Sequence, residues 1–219
     1  RADNRFVDVS KRENYIFNAS INGIEEADFI FLIGANPRYE ATILNTRIRK
    51  SHLNNNTKVL SLNDNGDLTY PYESLDGNTQ TLKNIFEGKN DLSKIILGSK
   101  KPIVILGESF LRLNSAEFLY EKIIEFLKHN NKFSEYWNPI NILSCDAASV
   151  GNFDLGLINN ENNLLNNLKS NKFDIVFLVG QDNLDFVKKD EFVIYQGSHG
   201  DKGAEIADII LPGSAYTEQ

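Results

Sequence analysis

Apolar residues in this chain fall in unbroken runs more often than in alternating ones. Three segments share one pattern, "FIFLIGAN" (29–36), "IVILGES" (103–109) and "IVFLVGQD" (175–182): an apolar run, a glycine, then polar residues. A strand buried on one face alternates, whereas a strand buried on both does not, so these runs predict a parallel sheet covered by helices. Residues 29–33, 103–106 and 175–179 are expected to be its buried strands. Gly34, Gly107 and Gly180 are then expected at the carboxyl ends of those strands, on one edge of one sheet, where such folds open a cleft. The three glycines are equally spaced, but no sequence matches between them, so no solenoid repeat is read. "TKVLSL" (57–62) and "EFVIYQG" (191–197) read as further strands.

Helical periodicity fills the gaps. Behind "GAN", Asn36 is placed to cap and Pro37 to open a helix. Ala41, Leu44 and Ile48 then share a face, with Arg47, Arg49 and Lys50 expected near its C-terminal end. In "SAEFLYEKIIEFLKHN" (115–130), Ala116, Leu119, Tyr120, Ile123 and Leu127 form an apolar stripe. "NNENNLLNNLKSN" (159–171) fits a short surface helix on Leu164, Leu165 and Leu168, or an irregular loop. Strand–helix alternation predicts an α/β fold with an open, doubly wound, mainly parallel sheet. The 219 residues allow one large domain or two small subdomains sharing a sheet. Residues 1–26 are read as a lead-in and 27–219 as the α/β domain.

Composition narrows the function classes. Net charge is −7, which leaves no basic surplus to neutralise phosphates, so no nucleic-acid partner is expected. No apolar run approaches the roughly 20 residues of a membrane span. A single cysteine, Cys145, cannot hold an iron–sulfur cluster, and His52, His129 and His199 lack metal-ligand spacing. No metal site is expected in this chain. The sequence starts at Arg1 and has no Met, as expected of a processed product or part of a longer chain.

Four stretches could carry chemistry. "GANPR" puts a glycine, a helix start and Arg38 together, as a phosphate cradle would, but lacks the three-glycine dinucleotide fingerprint. "GES" (107–109) offers Ser109, although the hydrolase elbow would require Gly where Leu111 stands. Cys145 has Asp146 beside it, which raises a thiol pKa, and reads as a buried or half-buried structural cysteine. "GSHGDKG" (197–203) gathers Gly197, His199, Gly200 and Asp201. His199 and Asp201 could be base and orienter, yet no nucleophile accompanies them, and the glycines equally fit a close backbone crossing.

The long motifs carry a resemblance. "ADFIFLIGANPRYEATILNTRIRK" (27–50) and "FVIYQGSHGDKGAEIADIILPGSAYTEQ" (192–219) resemble the large iron–sulfur subunit of respiratory complex I, in its molybdopterin-oxidoreductase-like C-terminal half. "DLTYPYESLDG", "KKPIVILGESFLRLN", "WNPINILSCDAASVGNFDLG" and "KFDIVFLVGQDNLDF" follow in the family's order, so the likeness covers roughly residues 12 to 219. It implies a structural domain of the NADH-oxidising peripheral arm, on the matrix side of the mitochondrial inner membrane. It implies no cofactor and no catalytic residue in this chain, with iron–sulfur clusters held by a cysteine-rich partner half of the same subunit. Gly34, Asn36, Gly107, Gly180, Gly197, His199, Gly200 and Asp201 then mark a vestigial cofactor cleft. The segment Tyr15–Ile24 and the terminal "ILPGSAYTEQ" are expected at the interface with that partner. Two other readings are a molybdopterin-binding domain of a molybdenum or tungsten enzyme such as a formate dehydrogenase, and an independent nucleotide-binding module.

Overall fold

The computed structural model describes residues 5–157, 164–182 and 187–218. The chain divides after Gly156 into two compact units.

In the first unit five strands are joined side by side: β1 (Phe29–Ile33), β2 (Lys58–Ser61), β3 (Glu73–Ser74), β4 (Pro102–Leu106) and β5 (Ile140–Ile142). Their order is β3-β2-β1-β4-β5, and every pairing is parallel. Seven helices accompany them: α1 (Pro37–Glu40), α2 (Thr42–Asn55), α3 (Thr79–Phe86), α4 (Leu92–Gly98), α5 (Glu108–Leu111), α6 (Ala116–His129) and α7 (Ser149–Asp154). The chain steps outward from β1 through β2 to β3, then returns to the other side of β1 with β4. Right-handed crossovers therefore place the helices before the reversal on one face and those after it on the other. Two apolar clusters result. Phe29, Phe31 and Ile33 of β1 pack with Leu82, Ile85 and Phe86 of α3 and Leu119, Ile123 and Leu127 of α6. Ile30 and Leu32 face the other way, onto Leu44 and Ile48 of α2 together with Ile24, Leu68 and Tyr70.

The predicted stripe of α6 is buried at all five positions. The first predicted helix is interrupted. Asn36 Oδ1 accepts from the Arg38 N–H at 3.2 Å and Pro37 opens α1, but the backbone breaks at Ala41 and α2 then runs on to Asn55. Arg47, Arg49 and Lys50 thus lie in mid-helix and not at its end. Arg47 and Lys50 are instead paired with Glu25. Residues expected as a lead-in build this unit. Phe17 bridges Asn141, and Tyr15 and Ile24, expected at an interface, are buried within the unit.

The second unit holds β6 (Ile175–Val179), β7 (Phe192–Gly197) and β8 (Ile209–Pro212), in the parallel order β6-β7-β8, with α8 (Leu164–Lys169) and α9 (Lys202–Ile206). Leu168, Val176, Leu178, Val193 and Tyr195 form its core, with Ala204, Ile206 and Ala207 packed against them. The helical alternative is realised in the second half of the Asn-rich stretch; residues 158–163 lie outside the described ones. The three predicted strands all form, and β1 and β4 are buried parallel neighbours, but β6 is not buried on both faces as expected, because Ile175, Phe177 and Val179 are exposed. β6 belongs to the other sheet, so Gly180 does not share an edge with Gly34 and Gly107 as expected. An apolar run followed by glycine marks β1, β4 and β6 alike and encodes nothing about which strands become neighbours.

Candidate functional site

In an open α/β sheet the binding crevice lies at the carboxyl ends of the strands where the winding reverses. In the first unit that point is between β1 and β4, and Gly34 and Gly107 stand there. Both glycines are required by contact with backbone. A Cβ on Gly107 would lie 2.2 Å from the Gly34 oxygen and 2.7 Å from Ala35 Cα. Gly34 has φ +63°, and a Cβ there would lie 2.4 Å from the Phe110 nitrogen. The space in which a cofactor would approach the strand ends is thus filled at its base by the two βα turns themselves.

The polar groups above these turns largely bond to one another, although Glu108 Oε2 is buried with no hydrogen bond. The Asn36 N–H donates to Glu40 Oε2 at 3.1 Å, and Asn36 Nδ2 donates to the Asn65 carbonyl at 3.2 Å. Arg38 is paired with Asp67 at 2.7 Å. Glu108, at the start of α5, is buried and ion-paired with Arg5, whose side chain is only 3% exposed. Arg5 Nη1 also donates to Ser144 Oγ at 3.1 Å, and the Cys145 N–H reaches Glu108 Oε1 at 3.4 Å. Arg112 stands 3.6 Å from the second Glu108 oxygen. A groove of about 750 Å³ opens beside this cluster, lined by Tyr39, Glu40, Ala41, Leu143, Ser144 and Asp146 among others.

The charge in this region is wrong for an anionic ligand. Partial burial raises the Glu40 pKa, the Glu108 charge adds to the rise, and the Asn36 N–H opposes it. The Cys145 thiol is also pushed up, by burial first and then by Glu40, Glu108 and Asp146. Carboxylates occupy the N–H donors and cations that a phosphate would use. At this crevice Glu40 engages the Asn36 N–H, and Glu108 engages Arg5 and the Cys145 N–H, groups of the kind a phosphate would need.

The other candidates resolve individually. As a residue Cys145 is exposed, not buried as expected, although its thiol is partly desolvated. Ser109 is exposed on α5, and the histidine rings bond elsewhere: His52 to the Thr57 carbonyl, His129 to the Glu125 carbonyl and His199 to Ser198. Among the described residues no three His, Cys, Asp or Glu side chains converge as a metal would require.

"GSHGDKG" wraps the ring of Tyr195, which is 1% exposed. A Cβ on Gly197 would lie 2.1 Å from the Tyr195 hydroxyl oxygen, and one on Gly203 2.5 Å from the ring carbons. The Tyr195 hydroxyl donates to Asp182 Oδ2 at 3.1 Å, and the Gly203 N–H donates to Asp182 Oδ1 at 3.0 Å. His199 Nδ1 meets Ser198 Oγ at 2.9 Å, not Asp201. His199, Gly200 and Asp201 are exposed, and Asp201 begins α9 without a side-chain cap. Gly180, at the end of β6, adopts φ +57° and donates its N–H to the Gln196 carbonyl. The sequence reading missed Arg5 and Glu108; only the position of Glu108 behind a strand-ending glycine hinted at its placement. It missed Asp182 too, although "GQD" repeats the strand–glycine–polar pattern of "GAN".

Relatives can be set beside this geometry. The 78 kDa mitochondrial subunit of NADH-ubiquinone oxidoreductase from Candida albicans is 41% identical over 211 residues, 95% of this chain and 28% of the relative. The 75 kDa subunit of NADH-ubiquinone oxidoreductase from Reclinomonas americana is 41% identical, covering 95% of this chain and 30% of its own length. The mitochondrial NADH dehydrogenase [ubiquinone] iron-sulfur protein 1 of Solanum tuberosum is 37% identical over 95% of this chain. These are the proteins to which the motifs at 27–50 and 192–219 pointed. The chain spans under a third of the length of the relatives it matches. A family model for molybdopterin oxidoreductases matches residues 2–219, and the chain belongs to that family.

Proposed function

We propose that this chain is a structural domain of the large iron–sulfur subunit of respiratory complex I, and that it carries no redox centre of its own. The carrying observation is the 41% identity to the 78 kDa and 75 kDa subunits, sustained over 95% of the chain. It favours this reading over a formate dehydrogenase domain. The crevice supports it too. Where a molybdopterin enzyme would bind a phosphate, Glu108 and Glu40 have taken the available donors, and Gly34 and Gly107 touch. In this reading the clusters belong to the remainder of the subunit, the chain sits on the matrix side of the inner membrane, and its role is to hold that remainder in register. No described helix is long and apolar enough to cross a membrane, which fits a peripheral-arm position.

The test is isolation of the chain from mitochondria under native conditions, with pterin, molybdenum and tungsten measured on the product. Co-migration with other complex I subunits and no pterin or molybdenum is expected. Stoichiometric pterin with molybdenum or tungsten would establish the alternative, and a free monomer would contradict the proposal outright.

A further inference from the structure

The two units begin alike. In both, a five-residue apolar strand ends in a positive-φ glycine, "FIFLIG" in β1 and "IVFLVG" in β6, and two more strands are laid down outward in the same direction. In the first sheet the early connections, α2 and residues 68–70, pack on one side; in the second, α8, which leads into β6, and α9, which joins β7 to β8, share one side. They then differ. In the first unit the chain after β3 returns across the opposite face, and α3 and α6 bury Phe29, Phe31 and Ile33 there, Phe31 to 0% exposure. In the second unit the matching residues of β6 are Ile175, Phe177 and Val179, at 57%, 66% and 69% exposure.

The bare face extends across the whole sheet. Cross-strand partners share a face, so the register places Phe192 beside Ile175, Ile194 and Ile209 in line with Phe177, and Leu211 in line with Val179. Phe192, Ile209 and Leu211 are all more than 40% exposed. An all-parallel sheet is stable with both faces covered, and an apolar patch of this kind marks an interaction surface. Strands stepping one way with right-handed crossovers can furnish helices to one face only. The second face must be covered by a connection that returns toward the free edge of β6, as the chain after β3 does beside β1.

We infer that the bare face of β6-β7-β8 is the docking site for a strand–helix segment of the same subunit, drawn from the portion outside these 219 residues. The strand would pair in parallel with the free edge of β6. The helix would lay a Leu/Ile/Phe stripe, like that of α6, over Phe177 and its neighbours. More than two thirds of the length of the relatives lies outside the matched region, so ample chain exists to supply it. The inference rests on the proposal that the chain works within that subunit.

A photoreactive phenylalanine placed at Phe177 in the assembled complex tests it. The cross-linked peptide should come from the large subunit outside residues 1–219, and hydroxyl-radical oxidation of Phe177 and Phe192 should fall at least tenfold between the isolated chain and the unmodified complex. A cross-link to a different subunit or back to residues 5–156, or undiminished oxidation in the complex, overturns the inference while leaving the functional proposal intact. Should the chain migrate apart from complex I altogether, the functional proposal fails and the inference with it. Protection combined with a cross-link to the same subunit is the outcome that supports both.

Discussion

Replacing Gly107 with alanine tests whether the crevice between β1 and β4 is closed by the chain's own turns. The added Cβ would lie 2.2 Å from the Gly34 oxygen and 2.7 Å from Gly34 C and Ala35 Cα, where ordinary contact begins near 3.4 Å. Relief therefore requires more than about 1 Å of movement between two backbones. Those backbones are tied by the Gly107 N–H to the Ile33 carbonyl at 2.9 Å, so the movement also disrupts a sheet hydrogen bond. Overpacking contributes about 1–3 kcal/mol and the strained bond about 1 kcal/mol more. For a chain of this size a loss of roughly 3 kcal/mol lowers the melting temperature by about 6–12 °C. Thermal unfolding followed by circular dichroism on the purified chain measures this directly. Gly98→Ala is the control, because a Cβ there meets nothing within 4 Å; its stability should hold or rise by about 0.5–1 kcal/mol. A Gly107→Ala melting temperature within about 1 °C of the parent would refute the closed crevice.

Three further outcomes are expected. Glu108→Leu should lose about 3 kcal/mol by stranding the buried Arg5 guanidinium, and adding Arg5→Met should recover most of it in urea unfolding; additive losses would contradict the pairing. The Cys145 thiol should be alkylated at pH 8 more slowly than a free thiol. Glu40→Gln should raise that rate about twofold, because removing a neighbouring anion lowers the thiol pKa. Burial acts to raise the Asp28 pKa, but bonds from Ser99 and the Lys100 and Lys101 N–H groups hold it below its ordinary value. Its contribution is therefore present above the unfolded carboxylate pKa, near 3.9, and lost as pH falls through the lower folded value. Asp28→Asn should flatten acid unfolding in that window, and an unchanged acid limb would show that Asp28 contributes nothing.

What could be read from the sequence was local. Unbroken apolar runs identified β1, β4 and β6, and the stripe of α6 and the capping by Asn36 follow from side-chain spacing alone. Sheet membership was not legible, because Gly34 and Gly180 end equivalent strands in different sheets. The break at Ala41, where φ is −153° and ψ 73°, is not registered by helical periodicity. The glycines of "GSHGDKG" were read as permitting a close backbone crossing; the group that lies close to Gly197 and Gly203 is instead the Tyr195 ring, part of an ordinary-looking strand, and a Cβ on Gly200 would meet nothing within 4 Å. The Arg5–Glu108 pair joins residues over a hundred positions apart, and no short-range pattern announces it.

Complexome profiling of mitochondria in which this chain is depleted tests the central claim most directly. The account predicts that the chain co-migrates with complex I in untreated mitochondria. On depletion, the peripheral arm should fail to assemble and NADH–ubiquinone reductase activity should fall in proportion. A fully assembled and active complex I after the chain is gone, or a chain migrating apart from the complex throughout, would contradict it.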